Sequence, residues 1–279
     1  MLKAILAIAA FVVMPSVAIA QQSKDFDICA GKDDDAAIKA CTRILKSGGV
    51  NNKGRREAHY NRAISYAALK RYDDAIRDYT NAIKADPSYP QAYNNRGVLY
   101  FEQKNDLDRA QADYDKAIAL DPAYAFAHNN RGNVLKRRGQ LDRALADYDK
   151  AIVIDPKYAG AHRNRGDAYR QTGKLTQAIA DYDKAIAFDP KFQAAYFGRG
   201  RAHDLGGNAE AAIADYNRVL ALYEDHVEAL VYRGVLYETA GRRDEAVADY
   251  RRALALTAED DDDRKAQVDA LERMTRLQR

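Results

Sequence analysis

The chain repeats itself every 34 residues, and that period decides most of what it can become. The clearest copy, residues 127–156, reads AHNNRGNVLKRRGQLDRALADYDKAIVIDP. Ala58, Ala92, Ala127, Ala161, Ala195 and Ala229 each open a copy. An Arg-Gly pair (Arg-Ala in the first) follows at Arg62-Ala63, Arg96-Gly97, Arg131-Gly132, Arg165-Gly166, Arg199-Gly200 and Arg233-Gly234. An Asp-Tyr pair recurs at Asp78-Tyr79, Asp113-Tyr114, Asp147-Tyr148, Asp181-Tyr182, Asp215-Tyr216 and Asp249-Tyr250. The first four copies close on Asp-Pro, at Pro87, Pro122, Pro156 and Pro190. A fixed period in this range marks stacked supersecondary units, each contacting its neighbours, rather than one closed core.

Each copy reads as two antiparallel helices. In residues 127–156 and their flank, the first helix runs from about 125 to 138, with Ala127, Arg131, Val134 and Leu135 on one face. Gly139 ends it as a left-handed residue, and Gly173, Gly207 and Gly241 hold the same place. Asn105 substitutes where that backbone shape still costs little. The second helix, about 141 to 154, buries Leu141, Ala144, Leu145, Tyr148, Ala151 and Ile152. Pro156 then stops the unit. Gly132 and Ala144 are the small residues expected to let the two backbones approach.

These residues resemble the tetratricopeptide repeat family, which carries Gly in its first helix (helix A) and Ala, Tyr, Ala and Pro along its second (helix B). The resemblance covers residues 57–256 as six units, and agreement in six copies makes it specific. It departs from the family in several places. Arg stands where a Leu usually precedes the Gly, Lys70 replaces the turn Gly of the first unit, and Glu224 and Ala258 replace the last two prolines. The second unit holds one extra residue between Gly97 and Asn105, which predicts a bulge or a loosened helix end. The resemblance implies an all-α helix-turn-helix solenoid, a right-handed superhelix, whose concave surface is lined by helix A and binds other proteins.

The ends depart from the repeat. Residues 1–20 have Lys3, an apolar stretch and Ala18-Ile19-Ala20, the pattern of a secretory signal peptide cleaved before Gln21. Residues 21–56 then form an N-terminal cap and connector. Within them, residues 33–47 read as a lone helix B, with Cys41 where Tyr79 sits. Cys29 and Cys41, the only cysteines of an exported chain, are expected to form a disulfide tying the segment before this helix to its buried face. Such a loop is worth on the order of 2–3 kcal/mol in the chain-entropy picture. Residues 47–56 read as a Gly- and Asn-rich connector. Residues 257–279 supply a C-terminal capping helix from about Asp262 to Leu277, with Val268, Leu271, Met274 and Leu277 facing the last unit. The acids at 259–263 suit a helix N-terminus.

Function is narrowed by what is present. With Lys3 set aside, forty-three basic residues face forty-one acidic ones, which does not make the basic face that nucleic acid needs. After the leader no apolar run reaches spanning length, so no membrane insertion is expected. No metal, cofactor or catalytic constellation is recognised, so the reading is non-enzymatic. His59, His128 and His162 share one position and read as near-core residues. The sixfold Arg and Asp predict a ladder of ion pairs such as Arg131–Asp147 and Arg165–Asp181, either within each unit or bridging to its neighbour.

On the groove positions implied by the resemblance, Asn61, Asn95, Asn130 and Asn164 form an asparagine ladder, thickened by Asn94, Asn129 and Asn133. An amide can pair with a peptide backbone without reading its side chains. Arg163, Arg170 and Arg201, with Lys136 and Arg137, oppose Asp167 and Asp204 there, which favours acidic residues in the middle of a bound segment. The Lys/Asn/Lys/Arg set of the family's chaperone-binding members is absent in every register. The expectation is a periplasmic scaffold of the Gram-negative type (or a secreted one) that holds an extended or helical protein or peptide segment. The alternative is a cell-envelope glycan-binding module or accessory subunit of an envelope enzyme. Partner identity and oligomeric state are not encoded legibly.

Overall fold

A computed structural model describes residues 23–277, so the expected leader over residues 1–20 and its cleavage before Gln21 lie outside the described residues. A short helix over residues 23–29 precedes α1 (Asp34–Lys46). Six pairs follow: α2 (Asn52–Ala68) with α3 (Tyr72–Ala85), α4 (Pro90–Glu102) with α5 (Leu107–Leu120), α6 (Ala125–Arg137) with α7 (Leu141–Ile154), α8 (Ala159–Gln171) with α9 (Leu175–Phe188), α10 (Gln193–Leu205) with α11 (Ala209–Leu222), and α12 (Val227–Thr239) with α13 (Arg243–Ala255). The chain's last described element is α14 (Asp261–Leu277). No strand occurs among the described residues. The protein is all-α.

Backbone chemistry sets the pair boundaries. Gly139 ends α6 at φ 73°, where an L side chain would be strained. The two substitutes comply: Lys70 sits at φ 58° and Asn105 at φ 50°. The extra residue of the second copy loosens the end of α4, as its spacing predicts. There the amides of Gln103 and Lys104 share the Leu99 carbonyl at 3.0 and 3.2 Å.

The repeated glycine has a different reason from the one its sequence suggests. A Cβ on Gly132 would lie 2.6 Å from the Tyr148 ring, and one on Gly234 would lie 2.6 Å from that of Tyr250. The glycine therefore makes room for the tyrosine ring of its own pair, not primarily for the facing backbone at Ala144. Gly166 also meets helix B backbone closely, at 3.2 Å from the Ala178 carbonyl oxygen. The reward is complete burial of Tyr148, Tyr182, Tyr216 and Tyr250, each a large apolar area removed from water.

Electrostatics stitches the same pairs. Nε and Nη2 of Arg165 donate to the two oxygens of Asp181 at 2.7 and 2.6 Å. The same fork joins Arg62 to Asp78, Arg96 to Asp113, Arg131 to Asp147, Arg199 to Asp215 and Arg233 to Asp249. In Arg96, Arg165, Arg199 and Arg233 the remaining nitrogen, Nη1, bridges to the preceding copy, two residues past that copy's aspartate. Arg96 reaches Thr80 at 2.9 Å, Arg165 reaches Asp149 at 2.6 Å, and Arg233 reaches Asn217 at 2.5 Å. The sixfold Arg–Asp pairs thus lie within each unit, and the bridge to the neighbour runs to a different residue.

Contacts divide the chain into two compact units, residues 1–127 and 128–279, each described by itself. In the first, the Cys29–Cys41 disulfide is present. Cys29, Ala40, Cys41, Ile44 and Ala58 form a small core with Phe26, Ile28, Leu45 and Val50 around it. The segment ahead of α1 is helical, and buried Asp25 accepts two bonds from Arg43 at 3.0 and 2.6 Å. Thr42 of α1 accepts from Arg62 at 2.8 Å, as Thr80 does from Arg96, so α1 occupies a helix B place. The expected connector is shorter than its composition suggests. Asn51 caps α2 by accepting from the Gly54 amide at 2.9 Å, so residues 52–56 are helix, not loop.

In the second unit α14 packs on α12 and α13, but with a rotated face. Ala266, Ala270, Met274 and Leu277 join the last core, whereas Val268 and Leu271 are 58% and 52% exposed. The Gln267 amide donates to the carbonyls of Ala253 and Leu256, both at 2.8 Å, closing the end of α13. Turning Val268 inward would carry Gln267 away from those acceptors.

Two outcomes follow for stability. Gly132→Leu should cost roughly 1–3 kcal/mol in thermal or denaturant unfolding, because the Tyr148 ring has nowhere to move; an unchanged midpoint would refute this packing. Among the aspartates, burial alone would push the Asp78 and Asp181 carboxyls up. Hydrogen bonds from Arg62 and His59, and from Arg165 and His162, more than reverse that and hold both below the usual value. At Asp113, with Tyr93 in the histidine's place, burial wins over Arg96 and the carboxyl is raised. A depressed folded-state pKa stabilises above the unfolded value and is lost as pH falls through the folded one. Asp181→Asn should therefore cost about 2 kcal/mol at neutral pH. That difference should shrink steadily below about pH 4, the unfolded aspartate's range. Carboxyl NMR should show Asp113 titrating above Asp181, and the reverse order would contradict the assignment.

Candidate functional site

The first helix of each pair carries the positions expected to meet a partner, and in the second unit α8 and α10 contact one another directly along it. Of the predicted residues, Asn61, Asn95, Asn130, Asn133, Arg163, Arg170 and Arg201 are half-buried and retain surface. Asn94, Asn129 and Asn164 do not: they are 5%, 3% and 7% exposed.

Those three amides are used inside the protein. In the first unit Asn94 donates to Asn95 at 3.1 Å, and Asn95 donates to the Tyr60 hydroxyl at 3.0 Å. In the second unit Arg163 donates to Asn164 at 2.9 Å, and Asn164 to Asn129 at 2.9 Å. Asn129 passes its own protons to Asn130 and to the Tyr158 hydroxyl, each at 3.2 Å. Part of the asparagine ladder thus joins consecutive copies to each other. Burial pushes the phenols of Tyr60 and Tyr158 up to about 12, so both stay neutral. Asn133 keeps a mixed role, accepting from the Tyr148 hydroxyl at 2.8 Å while staying half-exposed.

The charged residues gather more tightly than spacing alone predicts. Arg163, Asp167 and Arg170 stand at i−4, i and i+3 on α8, so they share a face. Lys136 joins them from α6. The Asp167 carboxylate is 3.5 Å from Lys136 Nζ, 3.4 Å from Arg163 Nε and 4.0 Å from Arg170 Nη2. It also accepts a short bond from the Tyr182 hydroxyl at 2.7 Å. Burial, reinforced by the charges of Arg163 and Arg170, outweighs Asp167 and lowers the Lys136 ammonium from its usual range. Three cations therefore share one carboxylate.

Further along the same face the balance shifts again. Arg201 lies with its guanidinium 3.8 Å from the Tyr232 ring centre, and its Nε is buried without a hydrogen-bond partner. The Tyr216 hydroxyl is likewise buried and unbonded. Arg201, Tyr232 and Glu228 border a cavity of about 370 Å³ that α14 closes with Asp262, Lys265 and Asp269. Burial raises the Glu228 carboxyl, and the neighbouring acids add to it. The sequence marked Asp167 only as an opposing charge and Tyr182 and Tyr216 only as repeated core residues, and it gave no sign of this cavity. Nothing in a 34-residue period reports which way a side chain turns about its helix. Among the described residues no His, Cys, Asp and Glu group could hold a metal ion, and no helix is long and apolar enough to cross a membrane.

A family model described as TPR repeat matches residues 65–104, 103–139, 132–169 and 166–204, and one described as tetratricopeptide repeat matches 197–261. The chain is 33% identical over 80 residues to heat shock protein STI1 of Saccharomyces cerevisiae, an alignment covering 29% of this chain and 13% of that protein. It spans 13% and 20% of the two curated relatives it matches. Among solved structures it is similar to a tetratricopeptide repeat protein of Parabacteroides merdae, with TM-score 0.71, 18% identity, 91% of this chain and 98% of that one. It is also similar to PilW, a type IV pilus biogenesis factor, with TM-score 0.69, 22% identity, 77% of this chain and 98% of that one. At these identities the two structures share the fold.

Proposed function

The chain belongs to the tetratricopeptide repeat family, and from that premise we propose that it is an exported, non-enzymatic scaffold holding a segment of a partner protein along helix A. Protein–protein interaction is what this fold serves in general. The observation that carries the finer reading is the helix A face of the second unit. There Arg163 Nε, Arg201 Nε and the Tyr216 hydroxyl are buried without hydrogen-bond partners. Native interiors rarely leave such atoms unpaired, and the rest of each half-buried guanidinium, of Arg163 and of Arg201, keeps surface to which a bound segment can bring acceptors. Half-exposed Asn130 and Asn133 lie on α6 with Lys136, Asn133 one turn before it, where amides can meet a peptide backbone.

The disulfide supports export, since such bonds persist in oxidising compartments such as the periplasm. A glycan-binding role has less behind it, because the repeated tyrosines that would stack on a sugar ring are inside the core.

A photocrosslinking residue placed at Asn130 or Arg163, in the native compartment, should capture one protein and map to one segment of it. The same residue at Val153 of α7, which is 73% exposed, should not. Arg163→Glu should weaken binding of that segment at least about tenfold, equivalent to ~1.4 kcal/mol, and should make the residual binding less salt-sensitive. Capture from Val153 with none from Asn130 or Arg163 would move the interaction to helix B and refute the reading.

A further inference from the structure

The cluster around Asp167 holds more positive charge than the protein itself neutralises. Lys136, Arg163 and Arg170 approach one carboxylate, and none comes closer to it than 3.4 Å. One oxygen of that carboxylate is already committed to the Tyr182 hydroxyl at 2.7 Å. In the next copy the place of Asp167 is taken by Arg201, another cation, which turns onto Tyr232 instead of pairing. Half-buried cations without a close carboxylate are costly to hold in low dielectric, and an arriving anion removes that cost.

We propose that Lys136, Arg163 and Arg170 form a subsite for an acidic side chain of the bound segment, and that Asp167 is an internal stand-in which the ligand carboxylate joins and competes with. This rests on the scaffold reading and specifies the chemistry of one position in it. The ligand is a peptide carboxylate rather than a free anion because the neighbouring groups suit a chain. Asn133 is half-exposed beside Lys136 on α6, and Arg163 is bonded into the amide series through Asn164. The lowered Lys136 ammonium agrees with an under-neutralised cluster. Removing the stand-in should strengthen the site, an outcome opposite to that of deleting an ordinary structural carboxylate.

The test uses the full mature chain and a fluorescent hexaglutamate peptide, with hexaglutamine as the neutral control and inorganic phosphate as competitor at matched ionic strength. Hexaglutamate should bind and hexaglutamine should not. Arg163→Gln with Arg170→Gln should weaken hexaglutamate at least tenfold, whereas Asp167→Asn should tighten it at least threefold. Circular dichroism melts establish that each variant is folded. Should Asp167→Asn not fold, Arg163→Gln alone, with Asp167 retained, must still weaken the probe several-fold. Equal binding of hexaglutamine, displacement by phosphate, or a folded Asp167→Asn variant that binds no tighter would each overturn the proposal. Its failure is separable from that of the scaffold reading. A neutral segment crosslinked at Arg163 would leave the scaffold standing and remove the acidic subsite. Hexaglutamate binding without any crosslinked partner would do the reverse.

Discussion

One side chain, the arginine before each glycine, ties the structure together in two directions. Its planar fork satisfies the aspartate of its own pair, and in Arg96, Arg165, Arg199 and Arg233 its third nitrogen crosses to the preceding pair. Lysine could match the charge but not the three simultaneous directions. The aspartate needs that fork because it is almost completely buried: Asp181 is 3% exposed. A buried carboxylate without a partner would cost several kcal/mol, so each copy must supply its arginine. The tyrosine beside the aspartate fills the space over the glycine, which sits next to the arginine. Two dipeptides thus specify helix crossing, burial and neighbour contact together. Arg251 stands where the earlier copies carry the bridging acceptor, and the element that follows, α14, attaches by apolar packing and Gln267 instead.

Much of this was legible because repetition separates what packing requires from what varies. Glycine and proline punctuation located α6 and α7 nearly to the residue, and a sixfold Arg and Asp could hardly be anything but paired. The bridging acceptor was readable in principle. Thr80, Asp149, Asp183 and Asn217 look unlike one another yet all accept a hydrogen bond. What the sequence hid depends on rotation about a helix axis. Asn94, Asn129 and Asn164 lie at groove positions by number but are buried, Asn94 bonded to Asn95 and the other two to an amide or tyrosine of an adjacent copy. On α14 the larger Val268 and Leu271 gave the stronger apolar signal. The two alanines on the true face permit close approach and leave Gln267 at its carbonyls.

The helix A face of the second unit breaks the consistency seen elsewhere. Several exposed charges close on one partner three residues away, as Arg71 does with Asp74 and Lys265 with Asp262. Around Asp167 three cations share one carboxylate, and Arg201 turns onto Tyr232. Such exceptions in an otherwise self-satisfied repeat are where a protein of this architecture differs from its own consensus, and so where recognition of a particular partner can reside.

The dependence of the fold on the arginine is tested most directly by Arg165→Lys, followed by equilibrium denaturant unfolding. The charge is kept, while the fork to Asp181 and the bridge to Asp149 are lost. The arrangement predicts a loss of about 2–3 kcal/mol. A shallower or divided transition should accompany it as α8 and α9 uncouple from α7. A midpoint and slope equal to those of the parent protein would contradict the dual role and reduce the ladder to an ordinary surface ion pair.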